Sequence, residues 1–346
     1  MNITKKVVGQ LDKCYSMATL TYKNKKHFLV AAEKVNECRM YDLDGNFEEV
    51  IWEEPGGVMT MVQVPGTDGQ FLATHRFYSP NDSANASIVL ITPRENAWEV
   101  RTLVDLPFVH RFDVLERNGV RYLIACALKS GHQQKDDWSS PGKVYAAVLP
   151  EDLSTFDKEN QLKLEVIQEG MLKNHGYYRH VGDTVTSAIV SCEQGVFQFT
   201  PPTQSGAAWD IQQLLGVAAS DAVLMDIDGD GDEELLVLEP FHGASLAIYK
   251  LKDGSYQKHY QHEEKLEFLH GMFGGKVCGK PRFIVGHRNG ERKLLSITSD
   301  GKGGYEIEEL DAGCGAANLL HYYHNDKDVL LATNREIDEI AMYTLE

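Results

Sequence analysis

The chain has 346 residues, 42% of them hydrophobic, and a formal charge of −17. That apolar content excludes a disordered chain, and no uninterrupted apolar run approaches the roughly 20 residues of a spanning helix. With no basic run to offset the acidic balance, long-range repulsion argues against nucleic acid and anionic membranes as partners.

The N-terminus, MNITKKVVGQLDK, lacks the apolar core and small-residue cleavage site of a signal peptide, so a cytoplasmic location is expected by default. Residues 3 to 12 have the form of an outer β-strand. After them a four-strand unit recurs, clearest in its very apolar second strand: HFLVAAE (27 to 33), QFLATHR (70 to 76), YLIACAL (122 to 128), SAIVSCE (187 to 193), ELLVLEP (234 to 240), RFIVGHR (282 to 288) and VLLATNR (329 to 335). Aliphatic third strands follow, such as CRMYDL, SIVLIT and KLLSIT, and then fourth strands such as WEVRTLVDL and YEIEELDAG. The last unit stops at its third strand, IAMYTLE. The strand at 3 to 12 supplies its fourth, which closes a ring and removes an exposed edge.

The pattern predicts an all-β chain forming a single seven-bladed β-propeller over 1–346. Blades start near 14, 56, 108, 171, 217, 266 and 313. The longest insertion, KSGHQQKDDWSSPGK (129 to 143), is a candidate functional loop. The six cysteines are widely spaced with no CxxC pair, and they read as free, buried thiols.

The repeat gives many of the thirteen histidines a shared address. His110, His175 and His270 precede the second strand of their blades by about 12 residues, at the start of first strands that line a propeller's channel. The loops after the second strands reach the same mouth and carry His75 with Arg76, His132, His242, His287 with Arg288, and Arg335. Three imidazoles with an open position would suit Zn²⁺, Mn²⁺ or Fe²⁺. The alternative is that they satisfy buried polar groups along the channel. Guanidiniums at Arg76, Arg111, Arg288 and Arg335 suit a carboxylate or a polyhydroxylated ligand, or else tie blades together through ion pairs. Tyr78, Trp138, Tyr177 and Tyr178 could stack on sugar faces, and Tyr178 could move a proton.

Between the first two strands of the fifth blade, DIDGDGD packs Asp226, Asp228, Asp230 and Asp232 with two glycines. An EF-hand would need a glutamate where Val237 stands, and the flanks are too short for helices. A hard-cation loop holding Ca²⁺ on a strand-joining turn is expected instead, on the face opposite the histidines.

This loop resembles those of FG-GAP and VCBS repeats. With the HR and HG dipeptides of His110, Arg111, His175, Gly176, His270 and Gly271, and the EPFHG loop, the chain resembles the propeller of aldos-2-ulose dehydratase and, more distantly, propeller polysaccharide lyases. The resemblance implies a carbohydrate lyase, dehydratase or isomerase acting on a small keto-sugar or sugar acid. His110, His175 and His270 would be metal ligands. His75, His242, His287 and Tyr178 would be catalytic, and Arg76, Arg111, His132, Arg288 and Arg335 would hold substrate. The other expectation is a non-catalytic binding or assembly propeller with a structural calcium, with further oligomerisation open in either case.

Overall fold

The computed structural model describes residues 1–35 and 37–346. Its strands, in chain order, are Ile3–Gln10 (β1); Cys14–Tyr22, Lys25–Ala32, Cys38–Asp42 and Phe47–Trp52 (β2 to β5); and Met61–Gln63, Phe71–His75, Ser87–Pro93 and Trp98–Asp105 (β6 to β9). Val109–Arg117, Val120–Lys129, Pro141–Val148 and Glu165–Met171 follow (β10 to β13), then Gly176–Val181, Thr186–Cys192, Gly195–Thr200 and Asp210–Leu215 (β14 to β17). Next come Asp221–Met225, Glu234–Glu239, Ser245–Lys252 and Ser255–Gln261 (β18 to β21), and Leu269–Val277, Lys280–His287, Leu294–Ser299 and Tyr305–Asp311 (β22 to β25). Ala316–His324, Lys327–Asn334 and Glu339–Leu345 end the chain (β26 to β28). The described residues contain no helix long and apolar enough to cross a membrane.

These strands form seven four-stranded sheets, each from consecutive strands except the last, which runs β1-β28-β27-β26. The fold is a seven-bladed β-propeller whose ring the N-terminal strand closes. Burial explains why the second strands read as unbroken apolar runs: β11 and β19 are covered on both faces, with Leu123, Ile124, Leu236 and Val237 fully buried. Fourth strands such as β13 and β21 are largely exposed, and their sequences are correspondingly mixed.

By backbone contacts the chain divides into two units. One comprises Met1–Cys14, Ile189–Phe197 and Gln213–Glu346, and it holds the sheets β18–β21, β22–β25 and β26–β28 with β1. Within it the first strands of successive blades meet, β18 with β22 and β22 with β26. The other comprises Tyr15–Ala188 and Gln198–Gln212, and it holds β6–β9 and β10–β13 together with nearly all of β2–β5. There β10 meets both β6 and β14. First strands are therefore the inner ones. Antiparallel pairing brings each first-strand start beside the end of its second strand, as Val109 opposite Ala127 and Leu269 opposite His287 show.

The cysteines are free, and all but the half-buried Cys278 are buried. The 129–143 insertion is pinned to the second blade by Asn81, which donates to Asp136 (2.7 Å) and accepts from the Asp136 N–H (3.1 Å).

Closure rests on seven registered pairs between β1 and β28 and on Lys5, whose ammonium bridges Asp311 (2.9 Å) and Glu339 (2.7 Å). Deleting residues 1–10 leaves β28 as an open edge and the Lys5 partners uncompensated. The thermal midpoint is expected to fall by on the order of 10 °C or more, with self-association in size-exclusion chromatography. An unchanged midpoint would show that closure contributes little.

Candidate functional site

The histidine positions are built by a backbone device that the repeat reproduces. Two residues before each, the chain passes through the left-handed region: Phe108 (φ 61°) before His110, Lys173 (φ 51°) before His175, and Phe268 (φ 60°) before His270. A bulky residue there costs on the order of 1 kcal/mol, a strain that concentrates at functional positions. The ladder then slips. In β10 the register jumps from Val109 to Arg111, and in β22 from Leu269 to Gly271, leaving His110 and His270 as the unpaired residues of β-bulges. A bulge re-aims one side chain without ending the strand.

The freed imidazoles take the carbonyl at the same position of the next blade. His110 Nδ1 lies 3.1 Å from the His175 carbonyl oxygen, and His270 Nδ1 lies 2.6 Å from that of Ala317. A carbonyl only accepts, so each Nδ1 carries a proton. A backbone carbonyl on one ring nitrogen fixes the ring's orientation, as it does for histidines that bind metals or move protons. His110, His175 and His270 are all buried.

In the unit containing β18 to β28, His270 has a neighbour. The turn Pro240–Gly243, closed by the Gly243 N–H donating to the Pro240 carbonyl (2.8 Å), places His242 at φ 49°. Gly243 is required there, because a Cβ would lie 2.2 Å from the Glu239 carbonyl oxygen. The His242 ring stacks between Phe241 (4.0 Å) and Phe268 (4.3 Å), with its centroid 5.6 Å from that of His270. Their donor nitrogens lie within 4.8 Å of each other. Two imidazoles on one tetrahedral ion have centroids roughly 5 Å apart, given metal–nitrogen bonds of about 2.0–2.1 Å, so the pair fits a transition metal.

In the other unit His110 and His175 form a second pair, with centroids 4.4 Å apart, and Phe77 packs edge-on against His110 (5.0 Å). Arg111 donates to the Met59 carbonyl (2.7 Å) and lies over the Tyr15 ring. His132 packs on Phe108 (5.3 Å), and Tyr178 is half-buried on β14. Nearby, Asp113 is buried and accepts from the Tyr177 hydroxyl (2.8 Å) and from Arg179. It was not singled out from sequence, although its HRFDV context follows His110 directly. The buried Lys129 ammonium bonds the Asn81 side chain and the Asp137 carbonyl (both 3.1 Å) beneath Trp138.

The remaining candidates differ in their surroundings. Arg288 and Arg335 share the Glu336 carboxylate at 2.7 Å and 3.0 Å, and Arg288 also stacks over Phe268. Burial alone would raise the Glu336 carboxyl, but the two guanidiniums outweigh it and hold it below its ordinary value. Arg76 is exposed and lines a polar cavity of about 260 Å³ with Asp105 and Lys158. His287 accepts at Nε2 from the Lys293 N–H (2.8 Å) and donates from Nδ1 to the Glu267 carbonyl (3.3 Å), which pins the turn between them. His75 packs on Trp52 (4.8 Å), and its Nε2 is buried with no hydrogen-bond partner among the described residues.

The Asp-rich turn joins β18 to β19. Asp226 caps it, accepting from the N–H groups of Gly229 (2.6 Å) and Gly231 (3.1 Å), both glycines at positive φ. Asp226 and Asp228 gather with Glu234, a buried residue missed from sequence, and ligand oxygens of the three lie within 4.8 Å of one another. Asp230 and Asp232 are exposed. The Lys250 ammonium reaches in from β20, bonding Asp228 and lying 3.2 Å from Glu234 and 3.7 Å from Asp230. Burial works against its charge, yet the bonds to Asp228 and Glu234 raise its pKa.

No protein-family model matches the chain, and no curated protein matches it in sequence. Solved structures share its fold. A streptogramin B lyase aligns over 100% of this chain and 99% of its own at 13% identity, with a TM-score of 0.58. The β-propeller domain of Myceliophteria thermophila Cps50 (Swd1) aligns over 99% of this chain and 100% of its own at 9% identity, with a TM-score of 0.62. A glucose dehydrogenase aligns over 99% of both chains at 13% identity, with a TM-score of 0.50. At these identities the likeness is one of fold.

Burial, helped by the Arg76 charge, pushes the His75 pKa down to about 3. The folded state therefore resists a proton that the unfolded chain accepts near pH 6.5. This contribution to stability is complete above pH 6.5 and is lost as pH falls towards 3, at about 1.4 kcal/mol per pH unit. Urea unfolding at pH 7, 6, 5 and 4 is expected to show a shallower acid loss in His75→Leu than in the wild type. Parallel pH profiles would place the acid sensitivity elsewhere.

Proposed function

We propose that the chain is a metal-assisted carbohydrate lyase, dehydratase or isomerase acting on a small keto-sugar or sugar acid at the histidine-bearing ends of its inner strands. His242 and His270 are the first candidate ligands, and His110 and His175 form a second imidazole pair in the other unit. The observation that carries this reading is the repeated bulge that turns an imidazole off the ladder and fixes a proton on Nδ1. His242, clamped beside His270 by two phenyl rings, adds to it.

The chemistry required is removal of a proton next to a carbonyl or carboxylate, which creates an enolate. A bound Zn²⁺, Mn²⁺ or Fe²⁺ would stabilise that developing negative charge. The chain's own residues would hold the substrate and move the proton. Arg76, exposed on a polar cavity, suits a carboxylate or sugar hydroxyls, whereas Arg288 and Arg335 would engage one by exchanging it for Glu336. In this reading His110 or the Tyr178 phenol would take and return the proton. The saturated His287 and the shared Glu336 favour a second reading, a binding propeller in which these groups only hold the blades.

The deciding experiment measures metals by plasma mass spectrometry on untagged protein, with alanine variants at His110, His175, His242 and His270. A transition metal near one per chain, lost in the His242 and His270 variants, is the expected result, followed by turnover of keto-sugars or uronates. Metal-free protein that is also inert to those sugars would leave the binding reading.

At the Asp-rich turn we propose a structural hard-cation loop in which Ca²⁺ must displace the Lys250 ammonium from Asp228 and Glu234. Lys250→Met should bind Ca²⁺ at least tenfold more tightly than the wild type by calorimetry, with a larger calcium-induced rise in thermal midpoint. Equal affinities would mean that the lysine does not compete.

A further inference from the structure

Away from the histidines, the unit containing β10 to β13 carries a cavity of about 570 Å³ between the outer strands of its third blade and the segment 202–211. This is the size range of small-molecule sites, about 300–1,000 Å³. Its apolar wall comes from Tyr122, Ala146, Val148, Ile167, Trp209 and Ile211. The Tyr122 and Trp209 rings meet edge-on at 5.8 Å and 77°, an arrangement that leaves aromatic surface for a third ring.

Two further observations define what the cavity would take. Tyr122 is only 2% exposed, and its hydroxyl has no hydrogen-bond partner among the described residues. A buried hydroxyl left unpaired is destabilising, a penalty that a ligand oxygen would relieve. At the rim stand Lys163 and Glu165, both exposed and two residues apart, with no ion pair to each other or to another described residue. One cation and one anion beside an apolar pocket complement a zwitterionic head group attached to an aromatic ring.

We propose that this cavity binds a free aromatic α-amino acid that bears a ring hydroxyl, that is, L-tyrosine or a close analogue. The ring occupies the wall formed by Tyr122, Trp209 and Ile167, and its hydroxyl pairs with that of Tyr122. The carboxylate faces Lys163 and the ammonium faces Glu165. The site is separate in sequence and chemistry from the histidine-bearing strand starts, so it stands whether or not the chain is an enzyme.

Calorimetric titration of the full chain with L-tyrosine, L-phenylalanine, 4-hydroxyphenylacetate and tyramine tests this. L-Tyrosine should bind, phenylalanine at least fivefold more weakly, and each single-charge analogue at least tenfold more weakly. Lys163→Ala and Glu165→Ala, both on exposed residues, should each weaken L-tyrosine at least fivefold. Tyr122→Phe should abolish the preference for tyrosine over phenylalanine, and His242→Ala should leave binding unchanged. Absence of binding to wild-type protein, affinity unmoved by the Lys163 and Glu165 variants, or equal loss in His242→Ala would each overturn the proposal.

Discussion

The pairing of β1 with β28 is the contact on which the rest of the structure depends. A single four-stranded sheet covers neither of its faces, and each blade is stable only when neighbours pack on both sides. The last blade obtains its outer strand from the opposite end of the chain, so the ring closes only when both termini are in place. Lys5 reinforces that seam with two carboxylates from different strands, Asp311 of β25 and Glu339 of β28. Strands held this way keep the loops at their ends in fixed register, which any site assembled from several blades requires.

Several of the charges this acidic chain buries are accompanied by an opposite charge: Asp113 with Arg179, Glu336 with Arg288 and Arg335, Glu239 with Lys258, and Glu234 with Lys250. The Lys129 ammonium is held instead by the Asn81 side chain and the Asp137 carbonyl. Where no partner is supplied, the group goes in neutral, as His75 does with its depressed pKa. At the inner strand ends the imidazoles of His110 and His270 donate to backbone carbonyls.

How much of this could be read from the residues depended on range. The second strands were legible because both their faces are buried, so SAIVSCE and RFIVGHR announce themselves whatever surrounds them. The common address of His110, His175 and His270 was legible because the repeat places them at one offset. What was hidden involves residues that meet across the sequence. Lys250 reaches Asp228 from the third strand of its blade, and Glu234 completes the acidic group from inside a strand, where it reads as an ordinary alternation residue. Phe268 beside His242 looks like core, and only its left-handed backbone marks it as a wall of the site. The Tyr122 and Trp209 contact joins two blades and leaves no local trace.

The repeat also weighs the two accounts of the histidines against each other. If imidazole were needed to satisfy the carbonyls at the inner strand ends, every blade would need one. The position two residues after the left-handed residue is instead Tyr15 after Lys13, Met59 after Gly57 and Ala317 after Gly315. The Met59 carbonyl is satisfied by Arg111, and the ladder of β26 bulges at Ala317 as β10 and β22 do at their histidines. Alanine therefore serves the fold where histidine also stands. The bulge is a property of the blade, whereas the imidazole at His110, His175 and His270 is an addition to it. An addition of polar groups repeated in three blades and extended by His242 is what the proposed ligand chemistry would call for, since the blade itself is built as well with alanine.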